Sequence, residues 1–134
     1  KRPEALVIGA DQILEHEGTI LSKPENKMEA RQQLNLLRNA DHRLISAVVL
    51  AKSGERIWHN TDSALLRMRN FSDAFLDSYI AEAGEDLLDG SGCYRVEGLG
   101  IQLFARITGD YFTILGLPLL PLLDYLRLQG AVAE

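Results

Sequence analysis

Asp11-Gln12 stands directly after the apolar run Ala5-Leu-Val-Ile-Gly-Ala10, which places a carboxylate at the expected carboxyl end of a strand. Open α/β sheets bind ligands at such ends, and a carboxylate there can hold a cation or activate water. A turn-forming Asp that closes the strand is the plainer alternative. Lys23 follows across what reads as a short hairpin and could return one positive charge to the same strand end, although an isolated lysine is commonly just solvated. Gly90-Ser-Gly-Cys-Tyr-Arg-Val-Glu-Gly98-Leu-Gly100 has the look of a phosphate cradle. Arg95, however, takes the place of the third glycine in G-x-G-x-x-G, and no G-K-[ST] follows, so neither nucleotide fingerprint is met. A tight loop using backbone conformations open to glycine is the simpler account. Glu97, in this stiff glycine-flanked stretch, is a carboxylate well placed to read a ligand. Arg69 ends a long predicted hairpin, where an arginine is usually solvated but could reach a phosphate.

Other reactive types point elsewhere. Cys93 has no histidine at a motif spacing and reads as a small buried side chain. His16, His42 and His59 lack the i, i+4 spacing of a metal pair, so each is first a surface or hydrogen-bonding residue. Asn70-Phe-Ser72 matches a glycosylation sequon, but Ser72 is better explained as a helix cap.

The elements that must carry these residues follow from pattern. Ala5–Ala10 reads as a strand buried on both faces and central in a sheet. Ile13-Leu14 and Thr19–Leu21 flank a Glu17-Gly18 turn. Asn26–Arg38 reads as a helix with Met28, Ala30, Leu34, Leu36 and Leu37 on one face. His42–Ala51 and Arg56–Met68 are joined by the turn residues Lys52-Ser-Gly-Glu55 into a long antiparallel hairpin. Ser72 caps a second helix, stopped by Gly84, with Phe75, Leu76, Tyr79 and Ile80 along one face. Ile101–Ile107 reads as a strand, Tyr111–Leu115 as a short one, and Leu119–Leu128 as a closing helix. The result is one α/β domain over residues 1–134 with an elongated mixed sheet flanked by helices.

Composition narrows the function classes. The chain has 134 residues, 46% of them hydrophobic and 25% charged, which suits a single globular domain rather than disorder. Such a chain buries roughly 65–70% of its unfolded surface, enough for a core without disulfide or structural zinc. Its single cysteine agrees, and a reducing, cytoplasmic setting is expected. The net charge of −5, with no dense Lys/Arg block, argues against duplex nucleic acid as a partner. The longest apolar run, Ile114–Leu123, is broken by Gly116, Pro118 and Pro121 and falls short of the ~20 residues of a membrane span, so a soluble protein is expected. The first residue is Lys1 rather than Met and a strand begins almost at once, so upstream sequence is expected to be missing.

Val7-Ile-Gly-Ala-Asp11-Gln, Leu21-Ser-Lys23-Pro24, Asp41-His-Arg-Leu-Ile-Ser46, Arg67-Met-Arg69-Asn-Phe-Ser72, Ser91-Gly-Cys-Tyr94-Arg-Val-Glu97-Gly-Leu-Gly100 and Ile114-Leu-Gly116-Leu-Pro118-Leu, in this order and spacing, resemble the Maf family of nucleoside triphosphate pyrophosphatases. The similarity covers nearly the whole chain. Glu97-Gly-Leu-Gly100, where other members carry Gln-Gly, looks most like the subfamily that hydrolyses 7-methyl-GTP. The resemblance implies a fold related to the inosine triphosphate pyrophosphatases, and cleavage between the α and β phosphates with Mg²⁺ or Mn²⁺. It implies Asp11 as proton acceptor and metal-holding carboxylate, Lys23 on phosphate oxygens, and Gln12 and Glu97 at positions associated with substrate choice. A homodimer is compatible with it. Ser22 replaces the usual glycine before the lysine, Ser46 a common threonine, and Ser91 the alanine before Gly92; none of these removes a charge. The family also has an N-terminal Ser/Arg-rich phosphate-binding motif and an acidic residue, which this chain lacks.

A carboxylate at position 97 can pair with the N1–H and N2–H₂ donors of guanine, and the cationic ring of 7-methylguanine attracts it further. Uracil and thymine offer one donor between two acceptors, which suits an amide better. The expected substrate is therefore 7-methyl-GTP. The alternatives are a pyrimidine triphosphate (dTTP or UTP) pyrophosphatase of the same family and a non-catalytic nucleotide-binding regulator of division, since the family is named for a septum-formation phenotype.

Overall fold

The computed structural model describes residues 5–88, 94 and 98–131. The elements are β1 (Val7–His16), β2 (Thr19–Leu21), α1 (Lys27–Leu37), β3 (Asp41–Lys52), β4 (Glu55–Met68), α2 (Asp73–Ala83), β5 (Phe104–Thr108), α3 (Tyr111–Leu115) and α4 (Leu119–Leu128). The strands form a five-stranded sheet in the order β2-β1-β3-β4-β5. The expected α/β class holds. Where a mixed sheet was expected, the pairs at both edges, β1 with β2 and β4 with β5, run antiparallel; a tight turn joins the first pair, and α2 lies in the chain between the strands of the second. No helix among the described residues is long and apolar enough to cross a membrane.

Local chemistry sets most boundaries. Glu17 and Gly18, and again Ser53 and Gly54, have positive φ at the turns that close the β1–β2 and β3–β4 hairpins, the backbone that two-residue hairpin loops demand. Asn26 accepts from the Glu29 N–H at the start of α1, and Ser72 accepts from the Phe75 N–H at the start of α2. Each side-chain oxygen satisfies an amide that the helix cannot.

Five expectations need correction. The first strand does not end at Ala10: β1 runs to His16, so Asp11 sits within it. Its apolar start is not buried on both faces, since Leu6, Val7 and Ile8 are 39%, 42% and 52% exposed. The three-residue β2 reaches only Leu14–His16 and leaves that start uncovered on its side. In α1 the core takes Ala30, Leu34 and Leu37, while Met28 and Leu36 are exposed; they fall outside the narrow stripe that one neighbouring layer can cover. Ile101–Leu103 belongs to a 3₁₀ turn over Leu99–Leu103, and the strand begins only at Phe104. Tyr111–Leu115 is helical rather than extended, because the Asp110 carboxylate caps it and Gly116, at φ 114°, ends it.

The chain divides into two compact units: Lys1–Gln12, Ile45–Ala64 and Gly109–Glu134 in the first, Ile13–Leu44 and Leu65–Thr108 in the second. In the first, Val48, Leu50 and Leu122 form a core on which Trp58, Leu117, Tyr125 and Leu126 pack, with the Trp58 and Tyr125 rings stacked 5.0 Å apart. In the second, Leu34, Leu37, Leu44, Leu66, Met68, Leu76, Leu87 and Leu103 are buried, and α2 packs on α1.

Candidate functional site

The first unit holds Asp11 and Gln12, whose side chains leave opposite faces of β1 by the two-residue period of a strand. Asp11 is exposed, and its Oδ1 accepts the N–H of Gln12 at 2.9 Å. Gln12 reaches the other way. Its Nε2 donates to Ser46 Oγ at 3.1 Å, to the Thr113 carbonyl at 3.1 Å and to the Ile114 carbonyl at 2.9 Å. Ser46 Oγ donates to the same Thr113 carbonyl at 2.6 Å. Thr113 Oγ1 donates to Asp62 Oδ2 at 2.9 Å, and Asp62 Oδ1 accepts the Ser63 N–H.

The positions of these partners have local causes. Asp110 Oδ2 accepts from the Phe112 and Thr113 N–H groups and so starts α3. Gly109, immediately before it, has φ +145°, and a Cβ there would lie 2.7 Å from Ala64 Cβ. Close approach of this backbone to β4 therefore requires glycine. Ser46 and Thr113 are fully buried, and their hydrogen bonds offset the cost of removing two hydroxyls from water.

The second unit holds Lys23 and Arg69. Lys23 is exposed between Ser22, whose carbonyl accepts from Gln33 Nε2 on α1, and the buried Pro24. Arg69 Nε donates to the Gln102 carbonyl at 2.7 Å, and its guanidinium lies 4.7 Å from the Phe75 ring centroid. This arginine is held in place while remaining exposed. A pocket of about 350 Å³ is walled by Tyr79, Asp86, Tyr94 and Gly98, Leu99 and Gly100. Behind it, the His42 Nε2 and Tyr94 hydroxyl are 2.7 Å apart, and Tyr94 meets Phe104 edge-on at 4.9 Å. Burial, reinforced by His16 and opposed by Asp41, lowers the His42 pKa to about 4, so its imidazole is neutral near pH 7. His42 Nδ1 is buried without a partner among the described residues.

The sequence-based candidates therefore distribute as Asp11 and Gln12 in one unit and Lys23 and Arg69 in the other. Glu97, Cys93 and most of the glycine-rich stretch lie outside the described residues. Sequence reading missed the roles of Asp62 and Thr113, which carry no spacing signal. Ser46, a lone hydroxyl inside the run Leu44–Leu50, was the available clue to a buried polar contact. Among the described residues no three His, Cys, Asp or Glu side chains gather as a metal-holding group. Asp11 supplies one exposed carboxylate. That fits a Mg²⁺-type ion carried largely by substrate phosphates and water, and it does not fit an ion caged by protein.

Comparison with known proteins places these features in context. The family model described as Maf-like protein matches residues 1–129. A protein named nucleoside triphosphate pyrophosphatase from Paramagnetospirillum magneticum is 53% identical over 130 residues, 97% of this chain and 67% of that protein. One of the same name from Caulobacter vibrioides is 55% identical over 132 residues, 98% of this chain and 66% of its own length. A protein named 7-methyl-GTP pyrophosphatase from Bartonella quintana is 48% identical over 132 residues, 98% of this chain and 67% of its own. The chain thus spans about two thirds of the length of the curated relatives it matches.

Proposed function

The chain belongs to the Maf-like protein family, and from that membership we propose that its protein is a nucleoside triphosphate pyrophosphatase, splitting the substrate between the α and β phosphates into a monophosphate and pyrophosphate. The observation that carries this reading is the tethered but exposed Asp11 carboxylate in a family whose relatives bear that enzyme name. Asp11 orients the attacking water and takes its proton. Lys23 neutralises charge on the phosphate oxygens and the departing pyrophosphate, and the exposed Arg69 guanidinium offers a second cation to phosphate. A divalent cation bound with the substrate would supply further charge neutralisation at the phosphates.

A panel of ordinary and modified triphosphates, assayed for pyrophosphate with the full-length gene product, tests the reading. Asp11→Asn should lower turnover by about 10²-fold or more. Near-normal release from that variant would remove Asp11 from the chemistry.

Within the panel, 7-methyl-GTP is the expected favourite. Support comes from the donor pattern of guanine against the Glu97 carboxylate and from the 7-methyl-GTP name of the Bartonella quintana relative. Gly98–Gly100, which follow Glu97 in sequence, wall a pocket that also presents Tyr79 and Tyr94, and aromatic faces attract a cationic ring. Glu97→Gln should lower the ratio of 7-methyl-GTP to UTP turnover. An unchanged ratio would mean that Glu97 does not read the base.

A further inference from the structure

The pocket beside Tyr94 presents more than aromatic faces. It measures about 350 Å³, within the ~300–1,000 Å³ of small-ligand sites. Its lining includes Tyr79, Tyr94 and Asp86, all in the second unit, and Asp86 is the one charged side chain among the described lining residues. No motif marks this aspartate in the sequence. Its place is set by the 3₁₀ turn Gly84–Leu88, which opens on Gly84 at φ 58° and is pinned by the buried Leu87 where the turn packs on α1 and α2. Tyr94 is set as firmly: its hydroxyl lies 2.7 Å from His42 Nε2, and its ring meets Phe104 edge-on. Two aromatic rings and one carboxylate thus line a single cavity on supported backbone, so little ordering is left for a ligand to impose.

We infer that Asp86 is a specificity-determining residue: its carboxylate, together with the faces of Tyr79 and Tyr94, selects a purine ring that carries a positive charge over its neutral parent. The inference rests on the pyrophosphatase reading and separates two tasks in base recognition. Guanine and 7-methylguanine both carry N1–H and N2–H₂ donors, so hydrogen bonding to that edge, the role proposed for Glu97, does not by itself tell them apart. They differ by a methyl group and a positive charge spread over the ring. A carboxylate attracts that charge, and so does the quadrupole of an aromatic face. Asp86 is exposed, so water screens the attraction, and the discrimination expected from it is about fivefold.

The test uses the full-length gene product with Asp86→Asn, which removes the charge at nearly constant shape, and Asp86→Glu, which keeps it. kcat and KM are measured on 7-methyl-GTP, GTP and UTP, and the dissociation constants of 7-methyl-GMP and GMP by calorimetry. Asp86→Asn should lower the 7-methyl-GTP to GTP ratio of kcat/KM about fivefold, mostly through KM, while the GTP to UTP ratio changes by less than about twofold. The affinity ratio of 7-methyl-GMP to GMP should fall by the same factor. Asp86→Glu should keep most of the parental ratio, and salt at about 1 M should bring the parent towards Asp86→Asn. A ratio of methylated to unmethylated nucleotide that stays at the parental value in Asp86→Asn, in turnover and in affinity, would overturn the inference. So would an equal loss on all three nucleotides, which would make Asp86 a structural residue. A parent that prefers 7-methyl-GMP to GMP through Asp86 but releases no pyrophosphate would uphold the inference and overturn the pyrophosphatase reading alone. A parent that hydrolyses triphosphates without favouring the methylated base would do the reverse.

Discussion

His42 illustrates how much a single residue's surroundings decide. Nothing in its sequence neighbourhood distinguishes it from His59, yet His42 is buried and His59 is exposed. Burial and the nearby His16 lower its pKa from 6.5 to about 4. Between those values the unfolded chain binds a proton that the folded chain refuses. The stability contributed by a neutral His42 is therefore complete above about pH 6.5 and is lost as pH falls towards 4, at up to about 1.4 kcal/mol per pH unit. Urea unfolding at pH 7 and pH 5 should show a larger drop for the parent than for His42→Gln; equal drops would assign the acid sensitivity to other groups. At this scale Asp11, Lys23 and Glu97 were legible as chemistry-bearing types. The partners of Gln12 were not, because Thr113 and Ile114 lie about a hundred residues away in sequence.

Among the elements, α3 shows local capping prevailing over residue propensity. Tyr111, Phe112, Thr113 and Ile114 are all types that favour strands, yet the Asp110 carboxylate gathers two N–H groups and Gly116 adopts the left-handed backbone that ends a helix. Asp110→Ala should cost about 1 kcal/mol in urea unfolding. Gly109→Ala should be worse, by roughly 1–3 kcal/mol, since it strains a φ of +145° and drives a methyl against Ala64. Retained parental stability in Gly109→Ala would show that the loop relaxes without strain. The longer elements were more legible. Both hairpins and α2 follow their turn and cap residues, and α4 occupies the stretch its apolar pattern marks, Leu119–Leu128.

For the whole molecule, a net charge of −5 repels a triphosphate, so the proposed turnover needs the local cations Lys23 and Arg69 and a divalent ion. Chelation with EDTA should stop pyrophosphate release, and added Mg²⁺ or Mn²⁺ should restore it; turnover that survives chelation would place the charge neutralisation on protein side chains alone. The sequence by itself determined the order of elements, their caps and tight turns and the types of the candidate site residues, because these are set within a few residues by backbone geometry and side-chain chemistry. Only the tertiary structure decided that Asp11 lies within β1, that α1 turns Met28 and Leu36 outward, and that the Gln12 amide is spent on α3. Those outcomes depend on what each segment packs against, and such neighbours come from parts of the chain too distant for any local pattern to encode.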